Sequence, residues 1–434
     1  MPNLTTLPQP PKIKAAAASS RERWQVVIAV VTVAFLTILA RVGISGAKVE
    51  MSRDLGISDL RFGWVFGAFA LGYAVFMLPS GLVADRWGPR RALALSVFFW
   101  SFFTLCTGLV SGITVLIGIR FWFGLAEAGV FPQAARALQN WTLPQERGLA
   151  LGLLNTGSRL GAAFGLAVTP FCVARLGWRA SFVWLGILGA VWAVVWFGWF
   201  RDAPAIRLDA RRSNTAPATA SEAHGATSNK IPWGALLSSR NFFLILYQYF
   251  ACNFAFFLCF SWLLPLLKTR YAISTTRAGL YSSIPLYVGA IATWSGGVAV
   301  DWIYKRGRFK LSRAGPAMFG FGLAITMMVA APFMPFPGWF IACFALMTFG
   351  LDLTVSSSWT VCCDVGGEYS GTLSAAMNTM GAMGSFASSL LFPLLIGRAG
   401  DVKTYFYLAS LLNLIALACW KFIEPAKTCS TRRG

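Results

Sequence analysis

The sequence is poor in charged residues and almost without histidine. Asp, Glu, Lys and Arg make up 12% of its 434 residues, about half of what soluble proteins carry. The one histidine, His224, lies in a stretch rich in Ala, Ser and Thr, so no nucleophile, histidine and acid arrangement predicts an enzyme. The nine cysteines show no spacing with histidine that would predict a metal site. We therefore expect a protein that is not an enzyme and that needs neither a metal nor a cofactor.

Apolar residues dominate instead, at 56% of the chain, and the mean hydropathy is +0.62. Long apolar runs recur, each sufficient to cross a hydrocarbon core of about 30 Å. The predicted fold is therefore an all-α membrane protein with twelve transmembrane helices. The predicted spans are 24–47, 62–83, 92–110, 112–136, 147–174, 179–200, 241–268, 278–300, 312–332, 337–360, 370–396 and 401–424.

Segments without large apolar residues divide the chain. Residues 201–240 are rich in Ala, Ser, Thr and charge, and they predict a cytoplasmic linker between two six-helix bundles, 24–200 and 241–424. Residues 1–23, rich in Pro and Ala, predict a disordered cytoplasmic tail, and 425–434 a second tail. The apolar run after the first tail is too long for the core of a signal peptide, so we expect an uncleaved first span.

The net charge of +21 would suggest a nucleic-acid partner for a soluble protein, but here the distribution of the basic residues is informative. If the chain starts in the cytoplasm, most Lys and Arg fall in cytoplasmic segments, as the positive-inside rule requires. We therefore expect a multi-pass protein of the plasma membrane, with both termini in the cytoplasm. We expect the protein to be embedded in the lipid bilayer and not to bind nucleic acid.

The two halves share sequence features. GLVADRWGPRR follows the second span and GVAVDWIYKR follows the eighth, with Gly, Asp and a basic residue at the same spacing. A second correspondence pairs residues of the fifth and eleventh spans, Gly161 with Gly384 and Pro170 with Pro393. Parallel repeats of this kind predict two pseudo-symmetric bundles, a substrate site near the midplane where the halves meet, and alternating access by rocking of one half against the other.

The first loop resembles the loop signature of the major facilitator superfamily, Gly-x-Leu-x-Asp-Arg-x-Gly followed by basic residues, with the Leu one place early. In that superfamily the loop latches the cytoplasmic gate, and an Asp here can accept hydrogen bonds from a neighbouring helix N-terminus. The alternative is a solvated charged loop. The resemblance implies the gate residues Gly81, Asp85, Gly88, Arg90, Asp301 and Arg306.

Charged residues also lie inside the predicted spans. In RFWFGLAEAGVFPQAARAL, Arg120 and Glu127 are seven residues apart and so share one helical face. A charge at mid-bilayer costs about 2.5–3.5 kcal/mol, so both must face protein or water. With Arg41 and Arg159, three guanidiniums face one clear acid. A salt bridge accounts for Glu127 and one Arg, and Arg159 could be that one, but the surplus predicts an anionic substrate, since guanidiniums suit carboxylates.

The fourth-span pattern Arg-x6-Glu-Ala followed by Phe-Pro, together with GSRLG and SWTVCCDVGGEYSGTLSAAMNTMGAMG, is similar to the anion:cation symporter family within that superfamily. The family carries organic anions such as sugar acids. The resemblance implies that Arg41 and Arg120 hold the substrate carboxylate and that Glu127 binds the proton. It also implies a pocket lined by Tyr73, Ser158, Arg159, Trp359 and Asn378, although Tyr73 and Trp359 could equally be core aromatics. A monomer is the superfamily norm.

One position departs from the family pattern. Proton-coupled sugar-acid carriers of this family often have Asp immediately before the first-span Arg, where this chain has Ala40. Some members without that acid are driven by membrane potential. Asp352, at about mid-depth of the tenth span, could supply a second protonatable group; the alternative is a structural hydrogen bond to a nearby Ser or Thr.

These features predict a secondary transporter that imports a small organic anion, most simply a sugar acid or related carboxylate, by rocker-switch alternating access with proton symport. A uniporter or exchanger driven by membrane potential is the alternative. Drug/proton antiport is disfavoured, because the fifth span has GSRLGAAFG in place of the Gly-Pro-rich motif of such antiporters.

Overall fold

The computed structural model describes residues 19–143, 146–202, 237–367 and 370–426. The regular structure in these ranges is helical, without strands. Most of the predicted tails and linker lie outside them, so those boundaries stay predictions. The helices are α1 (Ser20–Leu55), α2 (Asp59–Gly108), α3 (Ile113–Glu127), α4 (Val130–Trp141), α5 (Arg147–Trp199), α6 (Arg240–Ser261), α7 (Leu263–Tyr271), α8 (Thr275–Lys305), α9 (Phe309–Ala330), α10 (Pro337–Gly366), α11 (Ser370–Ala399) and α12 (Lys403–Phe422).

These helices make twelve passes, which confirms the predicted all-α membrane fold. Eleven stretches are long and apolar enough to span a membrane, and one of them, Leu149–Trp199, has 51 residues, enough for two passes. α5 thus forms the fifth and sixth passes, and α2 the second and third. α3 and α4 together form the fourth pass, and α6 and α7 the seventh.

Left-handed glycines interrupt the two long helices. Gly88 has φ 72° and ψ 158°, and Gly177 has φ 78° and ψ 159°, values that a residue with a Cβ rarely adopts. At Gly88 the backbone also lies so close to Asp202 that a Cβ would be 2.9 Å from its Oδ1. Glycine is therefore required at 88 both for the turn and for this contact.

Contacts between helix ends define the two sides of the bundle. Asn241 at the start of α6 donates to the carbonyl of Glu424 just beyond α12 (2.9 Å), and Arg23 near the start of α1 binds Glu146 before α5 (3.0 Å). We call this the terminus side. At the other end of α1, Asp54 accepts from the indole of Trp178 (2.8 Å), just after the Gly177 break. We call that the far side.

The internal repeat is visible in the helix packing. A Cβ at Gly161 of the fifth pass would lie 2.2 Å from the carbonyl oxygen of Phe35 in the first pass. A Cβ at its repeat partner, Gly384 of the eleventh pass, would lie 2.3 Å from the carbonyl oxygen of Phe250 in the seventh. The same close backbone approach therefore occurs in both halves, between corresponding helices.

The interface between the halves is pseudo-symmetric as well. A Cβ at Gly63 of the second pass would lie 3.0 Å from Pro393 of the eleventh. A Cβ at Gly279 of the eighth would lie 2.9 Å from Pro170 of the fifth. Each glycine lies near the far-side end of its pass, so the halves are packed together at the far side.

Trp262 contributes to this far-side closure. It separates α6 from α7, with φ −110° and ψ −14°, and its indole is buried. Lys48 of the first pass lies 5.4 Å above the indole ring, and Phe66 of the second pass contacts it edge-on at 5.3 Å between centroids. Phe392 of the eleventh pass lies at the same distance on the C-terminal side. One side chain at a helix interruption thus contacts both halves.

Substitution of Gly384 tests the close approach of passes seven and eleven. Gly384→Ala places a methyl group against the carbonyl oxygen of Phe250, so we expect a loss of about 1–3 kcal/mol in unfolding free energy. Gly371→Ala on the same helix, where nothing lies within 4 Å, is the matched control and should be neutral or slightly stabilising. Thermal unfolding in detergent measures both. Equal effects of the two substitutions would contradict the packing described.

Candidate functional site

Arg41 and Glu127 form an ion pair in the middle of the N-terminal half. The Nε of Arg41 donates to Oε1 of Glu127 (2.7 Å), and a terminal nitrogen of the same guanidinium contacts the same oxygen. Glu127 is fully buried, whereas the Arg41 side chain keeps 16% of its surface exposed. The acid is therefore neutralised by the first pass, and the cation remains within reach of a ligand.

Arg120, on the same helical face as Glu127, has no ion pair within the described residues. Its side chain is buried, and its Nε has no hydrogen-bond partner there. The guanidinium lies 4.3 Å from the ring centroid of Phe123 and 5.5 Å from that of Phe69. Aromatic faces compensate a desolvated cation by about 2 kcal/mol each, which is less than a carboxylate supplies. Arg120 is thus a buried cation without a full counter-charge.

Arg159 of the fifth pass pairs with Asp352 of the tenth, across the two halves. The sequence allowed a salt bridge from Arg159 to Glu127 and a hydrogen bond from Asp352 to a nearby Ser or Thr. In the structure, Arg159 and Asp352 bind each other instead. The Arg159 side chain is 19% exposed and that of Asp352 only 2%. Phe256 of the seventh pass lies 4.8 Å beneath the guanidinium.

The middle of the described bundle therefore holds three guanidiniums and two carboxylates. Each acid uses one oxygen in its ion pair, and the other oxygen, Oε2 of Glu127 or Oδ2 of Asp352, is buried without a hydrogen-bond partner. A buried carboxylate oxygen without a partner can accept a proton or a donor from a ligand. The arrangement can thus bind one further anion and take up protons.

The remaining predicted pocket residues lie at the same depth or slightly toward the terminus side. Tyr73 is half-buried, with its ring centroid 5.0 Å from the guanidinium of Arg41. Ser158 and Asn378 are half-buried, and Trp359 is 40% exposed. Trp359 is seven residues from Asp352, so the two share a helical face. The structure thus brings Tyr73 to the cations and leaves Trp359 accessible.

Sequence reasoning missed Phe69. Its ring centroid is 5.1 Å from the guanidinium of Arg41 and 5.5 Å from that of Arg120, so the two cations share one aromatic face. Its position four residues before Tyr73 places both rings on one helical face, and this spacing was readable in the sequence.

The gate residues of the first loop dock on the start of the linker region. The backbone N–H of Arg90 donates to Oδ1 of Asp202 (2.7 Å), and its Nε donates to the carbonyl oxygen of Phe197 (3.0 Å). Gly88 lies against the same carboxylate. Gly81 and the side chain of Asp85 are not among the described parts of the structure. Their latch role therefore stays a prediction.

In the second half, Asp301 is exposed and Arg306 covers the ring of Trp302 at 3.4 Å. A part-buried ion pair near that end joins Arg313 with Asp364 (2.8 Å), two residues that the sequence analysis did not single out. Outside the membrane passes, a hydrogen bond from Arg23 holds the pKa of Glu146 below its usual value. Ion pairs thus fix helix ends of both halves on the terminus side.

The sequence model of the Major Facilitator Superfamily matches residues 30–389 of the chain. A probable sulfoacetate transporter of Cupriavidus necator is 31% identical over 400 residues, which cover 91% of this chain and 92% of that protein. The hexuronate transporter of Bacillus subtilis is 26% identical over 419 residues, 94% of this chain and 96% of that one.

Solved structures show the same fold. A bacterial homologue of the human lysosomal transporter Spinster, in an inward-facing and unoccupied conformation, superposes with a TM-score of 0.76 at 18% identity. The match covers 94% of this chain and 98% of that one. A D-xylose-proton symporter matches with a TM-score of 0.72 at 14% identity, over 93% and 98% of the two chains.

Removal of single cations tests the charge balance of this site. Arg120→Met should raise the unfolding free energy of the ligand-free protein by about 1–4 kcal/mol, because it removes a buried cation without a counter-charge. Arg41→Met should lower it by about 3–5 kcal/mol, because it leaves Glu127 buried and unpaired. Thermal unfolding in detergent distinguishes the two directions.

The matched control is Arg179→Met on the far-side surface, where the side chain is 50% exposed; we expect a change within about 0.5 kcal/mol. If Arg120→Met destabilised the protein as much as Arg41→Met, Arg120 would be neutralised in the empty protein, contrary to the geometry.

Proposed function

The chain belongs to the major facilitator superfamily, and from this premise we propose that it is a transporter of small organic anions that works by alternating access. It is a transporter rather than an enzyme, as the family and its curated relatives are. The observation that carries the proposal is Arg120, a buried guanidinium with no acid partner among the described residues. A cation kept at this cost in mid-membrane is explained by an anion that binds it.

The substrate class follows from this chemistry and from the relatives. Guanidiniums bind carboxylates and sulfonates through paired hydrogen bonds, and Arg41 and Arg120 flank the same ring of Phe69. Similar proteins include a probable sulfoacetate transporter, a hexuronate transporter and a probable galactarate/D-glucarate transporter, and all of these substrates are small oxyanions. A sugar acid or a related short carboxylate or sulfonate is therefore the proposed substrate, with Tyr73, Ser158, Trp359 and Asn378 lining its pocket.

Proton symport is the proposed coupling. Glu127 is fully buried, and its proton would release Arg41 from the ion pair, so that the guanidinium becomes available to the substrate at the moment the acid is neutralised. Asp352 is the second candidate, because the first-span acid of related proton symporters is Ala40 here. The absence of an acid at position 40 favours one alternative to proton symport, an anion uniporter or exchanger driven by membrane potential.

The proposed direction is import across the plasma membrane by a monomer. The positive-inside rule places the terminus side in the cytoplasm. With that orientation, the far-side packing through Gly63, Gly279 and Trp262 lies at the external side and supports a conformation closed to the outside. Reversal of this closure would expose Arg41 and Arg120 to the outside.

Uptake into proteoliposomes tests the function and the coupling together. We expect accumulation of at least one labelled anion from a panel of sulfoacetate, gluconate, galactonate, glucuronate, sialic acid, glutamate and an aromatic carboxylate. Accumulation should require an inward proton gradient and should be lost in Glu127→Gln, which cannot exchange a proton. Protein-free liposomes are the control. Uptake that follows membrane potential alone, with Glu127→Gln unaffected, would establish the uniporter instead, and no uptake of any anion would exclude the proposed function.

The binding role of Arg120 has its own test. Arg120→Gln should weaken apparent affinity for the transported anion by about a hundredfold or more, because a buried charge pair with the substrate is lost. Arg120→Lys should recover part of it, since the charge remains without the forked geometry. Arg179→Gln on the far-side surface is the matched control. Unchanged affinity in Arg120→Gln would remove this residue from the binding site.

A further inference from the structure

The ion pair between Arg159 and Asp352 joins the two halves at mid-depth. The other ion pair described between the halves, Glu50 with Lys268, lies near the far side, at 3.8 Å, with about a third of each side chain exposed. An exposed pair at that distance contributes little. Arg159 and Asp352, at 19% and 2% exposure, therefore form the principal electrostatic contact between the described parts of the two halves.

Asp352 depends on Arg159 for its compensation. Its Oδ2 has no hydrogen-bond partner and lies so close to Gly289 of the eighth pass that a Cβ there would be 2.1 Å away. The other titratable groups near it are thiols of the seventh pass, Cys252 and Cys259, whose sulfurs face the hydroxyls of Thr354 and Thr348. Without Arg159, Asp352 would be a buried carboxylate facing a glycine backbone and neutral thiols.

The guanidinium of Arg159 can bind a carboxylate of the substrate in the same way as it binds Asp352. Its guanidinium is supported by the ring of Phe256 and keeps part of its surface exposed. Ser158, a predicted pocket residue, precedes it on the same pass. A carboxylate that reaches the exposed part of Arg159 therefore meets a guanidinium that already holds a carboxylate of the protein, and the two acids compete for one cation.

We propose that Asp352 is a built-in competitor of the substrate: it neutralises Arg159 in the empty transporter, and the anionic group of the substrate displaces it. This inference rests on the proposed function and assigns a further role within it. In the empty protein, the pair keeps Arg159 compensated, so that the protein changes conformation without a second uncompensated cation between the halves. When the substrate takes Arg159, Asp352 loses its counter-charge, and a proton from the open side converts the carboxylate to the neutral acid.

The first test needs no substrate. Asp352→Asn leaves Arg159 uncompensated between the packed halves, which should loosen the far-side closure. Amide hydrogen exchange of the ligand-free protein in residues 258–268 and 385–393 should accelerate at least about tenfold. The double variant Arg159→Gln with Asp352→Asn leaves no bare charge and should restore slow exchange. If Asp352→Asn alone does not fold, the double variant can still be compared with wild type.

The matched control is Asp364→Asn, an acid of the same pass whose partner, Arg313, lies in the same half. It should leave the exchange of those two segments unchanged. Equal exchange in wild type, Asp352→Asn and the double variant would overturn the proposal whatever the substrate is.

The second test uses sulfoacetate, galactonate and glucuronate as probes in proteoliposomes. In Asp352→Asn, apparent affinity should rise about tenfold, because the competitor for Arg159 is gone. Exchange of labelled for unlabelled probe should persist, whereas net uptake should fall at least about tenfold, because the empty protein can no longer neutralise Arg159 on its return. The double variant should regain net uptake with weaker affinity.

The outcomes separate this proposal from the proposed function. If wild type transports none of the probes or the other anions of the panel, the proposed function fails, and hydrogen exchange alone decides whether the ion pair ties the halves. If wild type transports a probe but Asp352→Asn changes probe exchange and net probe uptake by the same factor, the proposed function stands. Competition between Asp352 and the substrate is then excluded. In the control Asp364→Asn, the rates of probe exchange and of net probe uptake should change by the same factor, if at all.

Discussion

A guanidinium that has left water must be compensated by another charge, and the arrangement in the middle of this bundle follows from that requirement. Glu127 satisfies it for Arg41 within the first half, and Asp352 satisfies it for Arg159 across the halves. Arg120 has no ion pair of its own in the described structure; it is supported by aromatic faces and by the charge of Glu127, which is already paired with Arg41. The empty protein therefore has one cation more than acids in the middle of the bundle.

The scaffold around these charges is built from close backbone contacts that only glycine permits. Within each half, Gly161 and Gly384 allow equivalent helices to touch. Between the halves, Gly63 and Gly279 face Pro393 and Pro170. Because these contacts are related in pairs by the internal repeat, both halves contribute equivalent contacts to the far-side closure.

Much of this was readable from the sequence, because helical periodicity and repeats are local or internal properties. Apolar runs predicted the passes, and the correspondence of Gly161 with Gly384 proved to be a shared packing contact. The spacing of Arg120 and Glu127 correctly predicted that they share a helical face. It did not identify Arg41 as the ion-pair partner of Glu127, because Arg41 comes from another helix. The partner of Asp352 was not readable for the same reason, because Arg159 comes from the other half. The role of Asp352 as a second protonatable group stays a prediction.

The position of Trp262 has a mechanical consequence. The seventh pass is interrupted at this residue, and the same indole contacts Lys48 and Phe66 in one half and Phe392 in the other. A change in the bend between α6 and α7 would withdraw the indole from both halves together. Opening toward the far side can thus begin as a local hinge motion of one helix, and the contacts of this indole contribute to its barrier together with the close approaches at Gly63 and Gly279.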